Sequence, residues 1–244
     1  MFFNIEAFTH KGVLRDINQD TMLVHKQVLD TGTVSLTIQS PTRCFVADGV
    51  GGHLAGEVAS KLVIEYLNDE LPLTNHPEKE AISALCHEIN LQLISYSAEN
   101  SIYNGMATTL AGIIFYENRF YVINAGDSRV LLLRDHQLQK LTQDQVLAPE
   151  IANSPITSYF GGTKNALDIV ISAGSKEVRP DDIFMVSSDG IFKALTLSQI
   201  EKILSNSKTL KEKAEFIFYK AIQNGAPDNI SCIFIGVQND NKSS

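Results

Sequence analysis

Apolar positions along the chain fall into grouped strands and grouped helices. Met22 to Val28 and Val34 to Ile38 are rich in β-branched and apolar residues, and Thr31-Gly32 between them is a turn signal, which predicts an N-terminal hairpin. After the apolar stretch Arg43 to Ala47 and a glycine-rich turn, Leu54, Val58, Leu62, Tyr66 and Leu67 recur at helical spacing and predict a helix from about Leu54 to Leu71. Pro77 suits a first helical turn, and Ala81, Leu85, Ile89 and Leu93 mark a second amphipathic helix ending before Asn104-Gly105. From Thr108 to Leu141 the pattern is an antiparallel meander reversing at Glu117-Asn118, Gly126-Asp127 and Asp135-His136. A polar, glycine-bearing segment covers Ala148 to Asn165, and strands resume at Ile169 to Ile171 and Ile183 to Ser187. Thr196-Leu197-Ser198-Gln199 has the form of a capping box opening a helix, a further helix covers Leu210 to Gln223 with Gly225 past its end, and Asn229 to Val237 is the last strand. Grouped strands and helix pairs, rather than alternating βα units, favour a layered α+β fold over a doubly wound parallel sheet.

No internal repeat or Pro/Gly/Ser linker interrupts this pattern, so a single domain is expected over residues 1–237, with a polar C-terminal tail at 238–244. At 244 residues and 44% hydrophobic content the chain can bury a full core without staples. The formal net charge of −8 argues against a nucleic-acid partner. The cysteines Cys44, Cys86 and Cys232 form neither a pair nor a disulfide framework, which fits a reducing cytoplasm. The apolar run Leu110 to Tyr116 is too short to span a bilayer and the opening residues lack a signal-peptide pattern, so neither export nor a membrane partner is expected.

Candidate chemistry lies in aspartates beside turns at strand ends: Asn18-Gln19-Asp20, Ala47-Asp48-Gly49, Gly126-Asp127-Ser128-Arg129, Ser188-Asp189-Gly190 and Pro227-Asp228-Asn229. Each alone is ordinary turn chemistry. As a set they are informative, because Asp48 and Asp189 follow strongly apolar strands and so emerge at the edge of a buried sheet. Converging carboxylates repel and take up protons unless a cation neutralises them. Hard oxygen donors without cysteine or a spaced histidine pair select Mg²⁺ or Mn²⁺. Gly49 and Gly51-Gly52 allow close backbone approach to a metal, and Arg15 is the best candidate to bind an anion because its planar fork matches phosphate oxygens.

These motifs, taken in order, resemble the type 2C metal-dependent serine/threonine protein phosphatases in their compact bacterial form. The resemblance runs from Gly12-x-x-Arg15-x-x-Asn18-Gln19-Asp20 through Asp48-Gly49-Val50-Gly51-Gly52-His53, Gly105-Met106-Ala107-Thr108-Thr109, Gly126-Asp127-Ser128-Arg129, Leu141-Thr142-x-Asp144 and Ser188-Asp189-Gly190 to Asp228-Asn229. It implies a four-layer αββα sandwich with two central antiparallel sheets. By matched position it implies that Asp48 bridges two core Mn²⁺ or Mg²⁺ ions, with the Gly49 carbonyl on one of them. Asp20, Asp189 and Asp228 resemble the remaining ligands, Asp127 a ligand of a third, weaker site, and Arg15 the substrate-phosphate clamp. The implied reaction is hydrolysis of phosphoserine and phosphothreonine on proteins by a metal-activated water, without a phosphoenzyme, with Asp48, Arg15 and Asp189 catalytic. The implied partners are phosphoprotein substrates, targets of a serine/threonine kinase or the kinase itself. The alternatives are a catalytically silent phosphatase-like binding module and a two-metal phosphodiesterase.

His53 is read as a helix-start residue rather than a proton donor, Thr108 and Thr109 as hydrogen-bonding residues of the site edge, Arg129 as the partner of a carboxylate or backbone group, Cys44 as core and Lys193 as surface charge. Between Gln145 and Thr163 the chain is shorter than the flap of bacterial relatives, which opens the site to large substrates.

Overall fold

The structure, a computed structural model, describes residues 1–50, 55–151, 154–173 and 177–238. The strands in its first half are β1 (Phe2–His10), β2 (Asp20–Val24), β3 (Gln27–Leu29), β4 (Gly32–Gln39), β5 (Thr42–Val50), β6 (Ala107–Thr108) and β7 (Leu110–Tyr116). They continue as β8 (Arg119–Ala125), β9 (Arg129–Arg134), β10 (Gln137–Lys140), β11 (Phe160–Gly161), β12 (Val170–Ala173), β13 (Ile183–Ser187) and β14 (Ile230–Gln238). The helices are α1 (Gly56–Glu70), α2 (Lys79–Glu99), the short α3 (Gly190–Ala194), α4 (Leu197–Leu204) and α5 (Leu210–Gln223).

One sheet has six strands in the order β10-β9-β13-β14-β1-β4, and the other has eight, built around β5, β7 and β8. Alternation along the central strands separates the layers. Strand β14 sends Ile233, Ile235 and Val237 between the sheets and Ile230, Cys232 and Phe234 towards α4 and α5, because successive side chains leave opposite faces. Strand β5 does the same on the other side, with Cys44 and Val46 between the sheets and Phe45 and Ala47 under α1 and α2. The result is the αββα sandwich that the motifs imply.

Two expectations of pairing are corrected. The predicted N-terminal hairpin does not form between Met22–Val28 and Val34–Ile38. Strand β2 instead turns back at His25, whose φ is 59°, into β3, and β4 pairs with β1 in the opposite sheet, Ile5 facing Leu36. Burial explains it: β2 is buried throughout, whereas β4 alternates exposed and half-buried positions as an edge strand does. The meander is also broken, because β7 and β8 form a hairpin in one sheet while β9, after Gly126-Asp127, joins β13 and β10 in the other. Thr31-Gly32 and Gly126-Asp127 are therefore crossovers between sheets.

The helices match their sequence signals closely. The Thr196 side chain accepts from the Gln199 amide as the capping box requires, and Thr209 and Glu212 form a second box at the start of α5. Thr209→Ala removes one of these reciprocal bonds and is expected to lower stability by about 1 kcal/mol, measured by urea denaturation. Helix α1 is described from Gly56, so Leu54, Gly51-Gly52 and His53 lie outside the described residues, as does the tail beyond 238.

Candidate active site

The five aspartates come together where the two sheets meet. Asp20 opens β2 and stands directly opposite Asp48 of β5 in the eight-stranded sheet. Asp189 follows β13 and Asp228 precedes β14, neighbours in the six-stranded sheet, while Asp127 sits at the crossover between β8 and β9. Apolar strands thus deliver each carboxylate to one end of the sandwich. A cleft of about 260 Å³ there is lined by Arg15, Asp48, Gly49, Asp127, Asp189 and Asp228, with Lys193 and Ile156 at its edges. Asp20 does not line the cleft; it is 1% exposed, opposite Asp48 across the strand pair, and accepts a hydrogen bond from Ser188 beside Asp189.

Close backbone contacts fix the cleft. Gly12 has φ +77°, and a Cβ there would meet the Asp228 carbonyl oxygen at 2.1 Å, so this position requires glycine. The loop it begins is held by Asn229, whose Nδ2 donates to the carbonyls of Lys11 (2.9 Å) and Ile17 (2.8 Å) while its Oδ1 accepts from the Gln19 amide (2.9 Å). That places Arg15 beside Asp228, Nε to Oδ1 2.9 Å. Gly49 has a packing role as well: a Cβ there would strike the Gly56 backbone, so the glycine lets the start of α1 pack against the strand.

Burial and mutual repulsion dominate the electrostatics. Burial pushes the Asp20 carboxyl up to about 7 against the hydrogen bonds of Ser231 and Ser188, the latter 2.8 Å from Oδ2. Asp48 is driven well above the usual carboxylate range, by burial first and then by Asp20, Asp189, Asp127 and Asp228. Burial likewise raises Asp127 to about 6, and Asp189 is raised by burial although Lys193 opposes it. Only Asp228 goes down: burial raises it, but Lys193, the Asn229 amide and Arg15 together outweigh that.

The fit to a divalent cation rests on donors rather than finished geometry. Asp20 Oδ1 and Asp127 Oδ1 are fully buried and have no hydrogen-bond partner, an arrangement that costs energy unless a cation satisfies it. Every side-chain donor is a hard oxygen, as Mg²⁺ and Mn²⁺ prefer. Among the described residues, no three acids close into a ready-made metal cage. Lysine explains part of this. Lys193 Nζ lies 2.6 Å from Asp189 Oδ2 and 2.7 Å from Asp228 Oδ2, so the surface-charge reading is corrected: the ammonium is drawn into the cleft. Asp189 and Lys193 stand four residues apart at the start of α3, a spacing at which helical side chains meet, and that was the available signal.

The remaining residues serve the frame. Thr108 Oγ1 donates to the Asp48 carbonyl (2.9 Å), and Thr109 Oγ1 is 2.8 Å from Ser128 Oγ. Arg129 makes a bidentate pair with Asp144 (3.0 and 2.7 Å) and lies over the Phe192 ring. Cys44 is core, 0% exposed. In the short flap, Val146 bridges to Ile156, which places Ile156 at the cleft edge. Asn229 as the clamp of the Arg15 loop and Ser188 as the donor to Asp20 emerge only from the structure.

Comparisons with known proteins agree with the geometry. A family model described as protein phosphatase 2C matches residues 17–225. The serine/threonine phosphatase stp of Listeria monocytogenes serotype 4b is 30% identical over 247 residues, covering 94% of this chain and 94% of the relative. Protein phosphatase PhpP of Streptococcus pneumoniae is 28% identical over 218 residues, 82% of this chain and 87% of the relative. The crystal structure of the serine/threonine phosphatase Stp1 from Staphylococcus aureus superposes with a TM-score of 0.79 at 25% identity, over 96% of this chain and 95% of that one.

Proposed function

The chain belongs to the protein phosphatase 2C family, and from that premise we propose that it is a serine/threonine protein phosphatase dependent on Mg²⁺ or Mn²⁺, two core ions with a third, weaker site. The observation that carries the reading is the convergence of Asp20, Asp48, Asp127, Asp189 and Asp228, from distant parts of the chain, around one cleft that also presents Arg15. Asp48, the Gly49 carbonyl, Asp20, Asp189 and Asp228 would hold the core ions, with Asp127 serving the weaker site. When bound, the ions supply Lewis acidity towards phosphoryl oxygens and acidify a water.

The chain's own residues then orient the substrate. Arg15 is half-exposed at the cleft and paired through Nε with Asp228, and its planar guanidinium offers the fork geometry that suits phosphate oxygens. The catalytic set is Asp48, Asp189 and Arg15. Asp48 presents its carboxylate at the centre of the cluster, Asp189 flanks it from the facing sheet, and Arg15 sets the phosphate between them and solvent. No side chain is assigned as a covalent nucleophile, in keeping with direct attack on phosphorus. The short flap leaves the cleft open to phosphoproteins, including targets of a serine/threonine kinase or the kinase itself. Three unpaired, buried cysteines suit a reducing, cytoplasmic setting, and among the described residues no helix is long and apolar enough to cross a membrane.

The test is release of p-nitrophenol from its phosphate ester and of phosphate from phosphoserine and phosphothreonine peptides, with and without Mn²⁺. Metal-dependent turnover is expected; a folded protein inert on all of these substrates would refute the proposal and restore the silent-module alternative, which the named phosphatase relatives disfavour. Arg15→Ala is expected to raise KM about tenfold, because the guanidinium is the group placed to take phosphate oxygens.

A further inference from the structure

Lys193 is the most unusual group in the cleft. It stands at the end of α3's first turn, one helical turn after Asp189, and its ammonium sits between Asp189 Oδ2 and Asp228 Oδ2 at 2.6 and 2.7 Å. Arg15 Nε takes the other Asp228 oxygen at 2.9 Å. Both oxygens of Asp228 and one of Asp189 are therefore already paired with cations supplied by the chain. A divalent ion bound by the same carboxylates needs those lone pairs, and an ammonium cannot share an oxygen's cleft-facing side with a dication a few ångströms away without strong repulsion. The lysine stem is flexible and its side chain is 32% exposed, so it has a route to solvent.

We propose that Lys193 is a built-in rival of the divalent metal: it holds Asp189 and Asp228 in place while the site is metal-free, and it must swing out when the ion binds, so that it sets the metal concentration at which the cleft becomes competent. Lys193 is in this sense a positioning residue. The inference rests on the reading of Asp189 and Asp228 as metal ligands.

Calorimetric titration of the full chain with Mn²⁺ tests it, using wild type, Lys193→Met and Lys193→Arg. Methionine keeps the unbranched stem as far as the ε position and removes the ammonium, and is expected to tighten Mn²⁺ binding by about tenfold or more while lowering the melting temperature of the metal-free protein. Arginine keeps the charge and is expected to stay within about twofold of wild type. A Lys193→Met protein that binds Mn²⁺ no more tightly than wild type overturns the inference while leaving the phosphatase reading intact. Absence of Mn²⁺ binding in both wild type and Lys193→Met overturns the metal-ligand reading itself. Should Lys193→Met not fold without metal, preparation in Mn²⁺ followed by timed loss to a chelator gives the same comparison, slower loss than wild type being expected and equal or faster loss being contrary.

Discussion

Asp48→Asn is expected to lower turnover on p-nitrophenyl phosphate by on the order of 10³-fold and, at the same time, to raise the melting temperature of the metal-free protein. The two effects share one cause. Asp48 is the carboxylate whose charge is opposed by all four of the other acids as well as by burial. Asparagine has nearly the same shape and does not ionise, so in the metal-free protein it removes the repulsion at no cost in packing. Relief of that repulsion is expected to show as a rise in melting temperature. With metal present the same change removes the central anionic donor and the activity with it. Thermal melts in chelator and in Mn²⁺, run beside the rate assay, check both halves. A variant that loses activity and is also destabilised in chelator would mean that Asp48 serves the frame rather than the cation.

Stability of the metal-free protein should fall as pH rises from about 4 to about 7. The sign follows from proton binding. Asp20 titrates near 7 in the folded protein against 3.8 as its ordinary value, and Asp127 near 6. Between those limits the native state keeps protons that the unfolded chain has released, so each pH unit favours unfolding by roughly 1.4 kcal/mol per such group. The contribution is fully present below about 4 and is lost as pH passes the folded values. Asp228 and Asp144 act oppositely, since their depressed values cost stability only as pH falls below the ordinary carboxylate range. His25, lowered chiefly by burial, also opposes the trend on the acid side of its ordinary value of 6.5. Metal should flatten the profile, because a bound cation holds the carboxylates ionised. Urea denaturation at pH 4.5, 6 and 7.5, in chelator and in Mn²⁺, measures it; metal-free stability that stays level or rises over this range would contradict the burial and repulsion assigned to Asp20 and Asp127.

The parts of the molecule readable from sequence are those whose cause is local. The capping box at Thr196 and the periodic run Leu210 to Gln223 carry their own start and stop signals, and α4 and α5 lie where those signals place them. The site aspartates were legible for a related reason, since an acid directly after an apolar strand such as Ile183–Ser187 must leave the core at a sheet edge. Pairing was not legible. Thr31-Gly32 carries the same turn chemistry whether the next strand returns to its neighbour or crosses to another sheet, and only the difference in burial between β2 and β4 decides it. Lys193 was not legible because its spacing from Asp189 equally suits an ordinary ion pair on a solvated helix face, and only Asp228, brought in just before β14, shows the ammonium held in the cleft.

The crossovers that misled the sequence reading have a consequence for how the protein matures. Asp20 and Asp48 belong to one sheet and Asp189 and Asp228 border the other, so neither half of the sandwich carries a complete donor set. The contacts that unite them join residues more than a hundred positions apart, and such closures come late and slowly in folding. A half-assembled chain therefore has little to offer a divalent ion, and the ion's binding energy accrues almost entirely to the finished native state. On the proposed metal site, a divalent ion would reward completed assembly as well as serve the chemistry.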